Sequence, residues 1–205
     1  MIIAATGTIL SNTVDIDNYN PYPLQARGLI GKVLLHNTTD SGDSGDIMDP
    51  VKIPKMPKKE YDALIERQCV SRISFGACDH PYIAPFMYVF DKKYLYFLST
   101  KYGRKMEYFA LNPKVSVEIE EYAPDLSVFT FVSLQGTLEE VKDPAQKKKV
   151  REQFVEMIAK NRLSPRVLTA LGHSPNDSPD VIVHEERSMV WKLIGVKDIV
   201  ALKNG

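Results

Sequence analysis

Cysteine is nearly absent from this 205-residue chain, which holds only Cys69 and Cys78, without CxxC spacing. A disulfide scaffold and a zinc ribbon are therefore unsupported, and a reducing compartment is the better expectation. Neither sign of charge is in excess, because 26 Lys and Arg offset 26 Asp and Glu for a net charge of +0. No global field then favours nucleic acid or an anionic membrane, so any anion site must be local. No apolar run approaches the roughly 18 residues of a membrane span, and the opening MIIAATGTIL is short for a secretory leader and lacks a basic start. A cytoplasmic protein is expected. GxGxxG and GxxxxGKS/T are both missing, which argues against a Rossmann domain and a P-loop.

What the chain does contain is 44% hydrophobic and 25% charged residues, the balance of a soluble globular protein. Its length suits one domain of about 150 residues with an appendage. Residues 36–57 are rich in Asp, Gly, Ser and Pro and read as a linker, with a boundary near Pro57. The expected division is an N-terminal extension and linker over 1–54 and a main domain over 55–205. Within the extension, Leu29 to Leu35 could pair as a strand, and Asn18 to Pro23 is turn-like.

In the main domain, Tyr61, Leu64, Ile65 and Gln68 share one face of a helix entered at Pro57. Five β-type stretches follow, Val70 to Phe75, Tyr82 to Phe90, Tyr94 to Leu98, Val115 to Tyr122 and Val128 to Val141. Asp91 to Lys93 looks like a hairpin turn. Val115, Val117 and Ile119 alternate with Ser116, Glu118 and Glu120, the period of a strand with one wet face. The longer alternation Thr130, Val132, Leu134, Gly136, Leu138 suggests a bent barrel strand. A helix over Pro144 to Lys160, a short one from Pro165 to about Gly172, and strands at Val181 to Glu185, Met189 to Ile194 and near Ile199 complete the reading. The fold class expected is α+β, mainly β: a barrel with flanking helices.

Residues 96–113, YFLSTKYGRKMEYFALNP, run from a strand through hydroxyls and cations into a short helix. A helix start presents free N–H groups and partial positive charge; Ser99 and Thr100 add hydroxyls, and Lys101, Arg104 and Lys105 add cations. This is a phosphate site in outline. The competing reading is an ordinary strand-to-helix turn capped by Ser99 or Thr100, with the basic residues merely exposed.

Together with VSRISFGACDHPYIAPFMYVF at 70–90, Gly103, Lys105, Asn112, Pro113 and VSLQGTLEEV at 132–141, this segment resembles the FMN-binding split-barrel family. That family includes pyridoxamine-phosphate oxidases and nitroimidazole-resistance (Nim-like) proteins. The resemblance covers roughly residues 57–200. It implies a split β-barrel homodimer with FMN at the subunit interface and a flavin-dependent oxidoreductase acting on a small molecule, with nitro-compound or flavin reduction among the candidate reactions. It assigns the flavin wall to Arg72, Pro85, Phe86, Met87 and Tyr88, and the phosphate to Ser99, Thr100, Gly103, Arg104 and Lys105. Gln135 and Gly136 match a strand that often serves the partner's flavin, and Trp191 matches an aromatic near the ring. The chemistry of the wall is plausible in the residues themselves, since a flat amphipathic ring needs apolar walls, and Pro85 inside a strand marks an edge or bulge.

The chain departs from both subgroups. Leu98 stands where Nim proteins commonly carry His, and the terminus DIVALKNG lacks the Arg-Leu-x-Pro type ending of the oxidases. Alternatives in other classes are a flavin-sequestering protein without turnover, and a split barrel holding deazaflavin or haem. GDSG at Gly42 to Gly45 lacks the second Gly of a protease loop, and the same stretch lacks the acids of a calcium loop. His36, His80, His173 and His184 show no metal spacing and read as surface or loop residues, with His80 nearest a pocket mouth. Cys69 and Cys78 read as unreactive thiols, and Lys147 to Lys149 with Arg151 as a solvated helix face.

Overall fold

The structure, a computed structural model, describes residues 53–76 and 80–204. The expected extension with its strand and turn, the 42–45 loop, His36 and Cys78 lie outside the described residues.

Strands with one apolar face close upon themselves. β1 (Val70–Phe75), β2 (Tyr82–Phe90), β3 (Leu95–Thr100), β4 (Lys114–Tyr122), β5 (Phe129–Glu140) and β6 (Ser188–Asn204) form a closed antiparallel barrel in the order β1-β2-β3-β6-β5-β4. Val115, Val117 and Ile119 point inward as their alternation predicts, and meet Ile73, Phe86, Phe97 and Val132 in the barrel interior. At Asp91 the carboxylate accepts N–H bonds from Lys93 (3.0 Å) and Tyr94 (2.7 Å), which, with Lys92 at φ 74°, builds the β2–β3 turn.

Helices cover the ends and one flank. α1 (Lys58–Arg67) buries Leu64 and Ile65. α2 (Arg104–Leu111) lies between β3 and β4 and packs Met106, Tyr108 and Phe109 on the barrel interior. α3 (Pro144–Lys160), capped by Asp143 accepting from Gln146 N at 2.7 Å, lays Val150, Phe154 and Ile158 over the outer sides of Met87, Val89, Tyr96 and Leu98. β2 and β3 are therefore buried on both faces where α3 covers them. A 3₁₀ turn over Pro165–Leu171 ends at Gly172, whose φ of 83° suits glycine.

The barrel is split between β2 and β3. β2 pairs with β1 over Tyr82 to Met87, but with β3 only over Tyr88 to Phe90. Beyond Phe97, β3 continues as Leu98, Ser99 and Thr100 with β6 alone as its neighbour. Both strands therefore turn unpaired backbone toward the opening. This explains Pro85: it has a strand partner in Arg72 on one side and none on the other.

Four expectations are corrected. Val181 to Glu185 is not a strand: Val181–His184 forms the helical turn α4, held by the N–H groups of Val181, Ile182 and Val183 donating to the carbonyls of Ser178, Pro179 and Asp180, and its fully buried Ile182 joins the cluster under α3. The separate closing strands are one, β6, which bulges at Gly195 (φ 57°) as pairing jumps from Gln135 with Asp198 to Thr137 with Ile194. Arg151 is no solvated cation; it is buried, pairs with Glu185 at 3.8 Å and donates to the Ser188 carbonyl at 3.0 Å, joining α3 to the start of β6. His173 is buried too, at 8% exposure, with Nε2 unpartnered among the described residues.

Candidate functional site

The opening between β2 and β3 leads to the start of α2. Gly103 precedes that helix at φ 87°, a conformation that favours glycine, and has no side chain to cap it. Met106 N–H donates to the Gly103 carbonyl at 2.9 Å, which leaves the N–H groups of Arg104 and Lys105 in the first turn of α2 to an outside acceptor. Lys105 folds back over this turn: its Nζ donates to Thr100 Oγ1 at 2.7 Å and to the Tyr102 carbonyl at 2.9 Å. Both partners are neutral oxygens. Half burial pushes the Lys105 ammonium below its ordinary pKa, since no carboxylate stands by to offset lost hydration. Arg104 and Lys101 are exposed and form no ion pair among the described residues. A half-buried ammonium, a free guanidinium and open N–H groups are a donor set for an anion.

Other expected residues fall in different places. Ser99 is 1% exposed and its hydroxyl donates to the Thr100 carbonyl at 3.0 Å, while Thr100 is 5% exposed and already serves Lys105. Because β3 runs on through both residues, these hydroxyls belong to the strand rather than to the helix mouth. Arg72 and Pro85 face outward as register partners, and Arg72 forms an ion pair with Glu120. Phe86 and Tyr88 point into the barrel, and Tyr88 OH donates to the Ile65 carbonyl at 2.7 Å; Met87 is held under α3. Of the expected wall, Pro85 is exposed beside Ile83, which is 61% exposed; both are apolar, on an unpaired strand edge.

Trp191 lies inside the barrel with no exposed surface, its ring 4.8 Å from Phe109 and 5.9 Å from Phe86. It supports α2 from beneath rather than facing the opening. Gly136 is required by packing: a Cβ there would stand 2.9 Å from both the Ile194 carbonyl and Leu193 Cδ1. Gln135 faces outward in a row with Ser116, Ser74 and Ile83, one residue from each of β5, β4, β1 and β2. Three strand spacings separate Gln135 from Ile83, about 14 Å. Gln135 also lines a groove of about 430 Å³ with Lys114 and Lys197 and no carboxylate.

Sequence reasoning missed Tyr102, whose ring is 64% exposed and 5.3 Å from Lys105 Nζ. An aromatic between two cations in a turn was the available signal. Asn112, named in the sequence among the residues that carry the resemblance, ties the end of α2 to the residue after β1 by donating to the Gly76 carbonyl at 3.1 Å. His80 is exposed and contributes its carbonyl to Tyr108 OH at 3.0 Å. Burial raises the pKa of the Cys69 thiol, which keeps it a poor nucleophile.

A barrel parted along one seam, with flanking helices, is the architecture of the split-barrel proteins. The chain belongs to the pyridoxamine 5'-phosphate oxidase family, whose sequence profile matches residues 57–178. Among solved structures, an FAD-binding protein from Mesorhizobium loti is similar at 18% identity and a TM-score of 0.55, over 76% of this chain and all (100%) of that one. The conserved protein Rv2991 of Mycobacterium tuberculosis is similar at 14% identity and a TM-score of 0.56, over 73% of this chain and 86% of that one. HutZ of Vibrio cholerae, described as a heme storage protein, is similar at 14% identity and a TM-score of 0.54, over 71% and 94%. No curated protein matches the sequence. Among the described residues, no helix is long and apolar enough to cross a membrane, and no cluster of His, Cys, Asp or Glu could hold a metal.

Proposed function

We propose that this chain binds FMN along the β2–β3 opening and works as a flavin-dependent oxidoreductase on a small molecule. The observation that carries the reading is Lys105, a half-buried ammonium bonded only to neutral oxygens and set beside uncapped N–H groups. Those residues fit a phosphate: a dianion would restore the charge balance that burial denies the ammonium. Ile83 and Pro85 would flank the flat ring, and the unpaired backbone of Ala84 to Met87 would meet its polar edge. When bound, the flavin supplies the redox chemistry; the protein orients it and limits access of water.

The seat is incomplete within one chain, because Gln135 and its groove lie about 14 Å across the sheet from β2. A second copy packed on this outer face would bring its own Gln135 to the opening, which is the basis for proposing a homodimer. The domain proposed to carry this activity spans 55–205, with 1–54 as its extension.

The test is a fluorescence titration with FMN on the wild type and on the Arg104→Ala, Lys105→Ala double variant. Each lost charge-assisted bond removes roughly 1.5–3 kcal/mol, so affinity should fall at least about tenfold. Equal affinity in the two proteins would remove the phosphate assignment. Turnover of the loaded protein with NADH or NADPH and a nitroaromatic acceptor separates an oxidoreductase from a flavin store, and the visible spectrum separates flavin from deazaflavin or haem.

A further inference from the structure

We infer that Arg151 and Glu185, which lie outside the flavin opening, are positioning residues for it: their buried pair fixes the end of β3 and, through Thr100, the ammonium of Lys105. The inference rests on the FMN reading above.

Thr100 is held by a strand on one side only. It is the last residue of β3, past the stretch where β2 pairs with that strand, and its register partner is Ser188. Ser188 is in turn the first residue of β6, where a strand end would ordinarily fray. Arg151 and Glu185 close on it instead. The Glu185 carboxylate accepts from Ser188 N–H at 2.9 Å and from the Ser188 hydroxyl, and Arg151 donates to the Ser188 carbonyl at 3.0 Å. Arg151 also donates to the Glu185 carbonyl and stands 3.8 Å from its carboxylate. The N–H, the carbonyl and the hydroxyl of Ser188 are thus all bound by this pair.

Net stability from such a pair is small. Arg151, Glu185, Ser188 and Thr100 are all buried, and taking two opposite charges out of water offsets most of their attraction. Arg151 Nε, buried with no partner among the described residues, adds to the cost. What the pair supplies is position. Arg151 is carried by α3, whose Val150, Phe154 and Ile158 are packed on the barrel flank, so Ser188 is tied to a fixed helix. The order passes to Thr100 by strand register, and from Thr100 Oγ1 to Lys105 Nζ at 2.7 Å. A lysine ammonium is a point charge on a flexible stem, so it meets a phosphate in one place only if its anchor is fixed.

The experiment titrates the full-length protein with FMN and with riboflavin, which has the ring and lacks the phosphate, following flavin fluorescence. The variants are Arg151→Met with Glu185→Gln, which removes both charges at nearly constant volume, Thr100→Val, and the two combined. Wild type should bind FMN at least about a hundredfold tighter than riboflavin, from two or more charge-assisted bonds. The charge-free double variant should narrow that ratio about tenfold and leave riboflavin affinity unchanged, whereas general damage to the barrel would weaken both flavins alike. Adding Thr100→Val should narrow it no further, because both changes act on one ammonium. A ratio kept in the double variant, or losses that simply add, overturns the inference and leaves the FMN reading standing. Wild type that binds FMN no tighter than riboflavin removes both. Where the double variant does not fold, hydrogen exchange on the wild type decides: FMN but not riboflavin should slow exchange of the Ser188 amide, and equal protection by the two overturns the inference.

Discussion

Lys105 shows how one residue can carry the logic of a site. Taking an ammonium half out of water without a carboxylate disfavours its charged form, so it gives up its proton at a lower pH than an exposed lysine. The charged form is the one that binds phosphate. FMN affinity should therefore fall as pH rises toward the lysine range, and begin to fall earlier than exposed-lysine titration would allow. Titrations across pH 7 to 10 on wild type and Lys105→Arg check this: the arginine variant should hold its affinity flat, because guanidinium keeps its proton throughout. Gly103, Arg104 and Lys105 were legible in the sequence as the start of a helix, because glycine after a strand is an accepted entry to the first turn. Ser99 and Trp191 were not. The inward turn of Ser99 depends on β3 running two residues past Leu98, and a lone tryptophan near the chain end carries no mark of the interior it fills.

Strands were read well wherever one face is wet, as in β4, where alternation marks the inward set without ambiguity. β6 defeated the same method. Its Gly195, Val196, Lys197 and Asp198 have turn composition, yet long-range pairing with β5 carries the strand through them as a bulge. α4 failed for the opposite reason: Val181, Ile182 and Val183 have strand composition, but the preceding Ser178 to Asp180 turn and the burial of Ile182 set a helical turn instead. The bulge also explains why β5 needs glycine opposite it. Gly136→Ala would push a methyl against the Ile194 carbonyl, a backbone atom that cannot rotate away. Destabilisation of about 1–3 kcal/mol is expected in urea unfolding. Unchanged stability would mean that the β5–β6 contact is looser than described.

For the whole molecule, the outer face of β1, β4 and β5 is where the proposed second copy would pack. It joins the Arg72–Glu120 ion pair and the Gln135 row to exposed Val70, Ile83 and Val200. If two copies meet there, flavin binding and association are linked, and each should strengthen the other. Sedimentation of the full-length protein with and without FMN should give a dimer whose dissociation constant falls when flavin is added; a monomer unaffected by flavin would end the two-chain site. Closure of the barrel has a further outcome. Met56 N–H donates to the Ala201 carbonyl at 2.8 Å and Lys203 N–H to the Pro54 carbonyl at 3.2 Å, so the stretch that leads into α1 is laced to the last turn of strand β6. Clipping the final few residues therefore unfastens the domain's entrance as well as its exit, and this barrel has no spare end to trim.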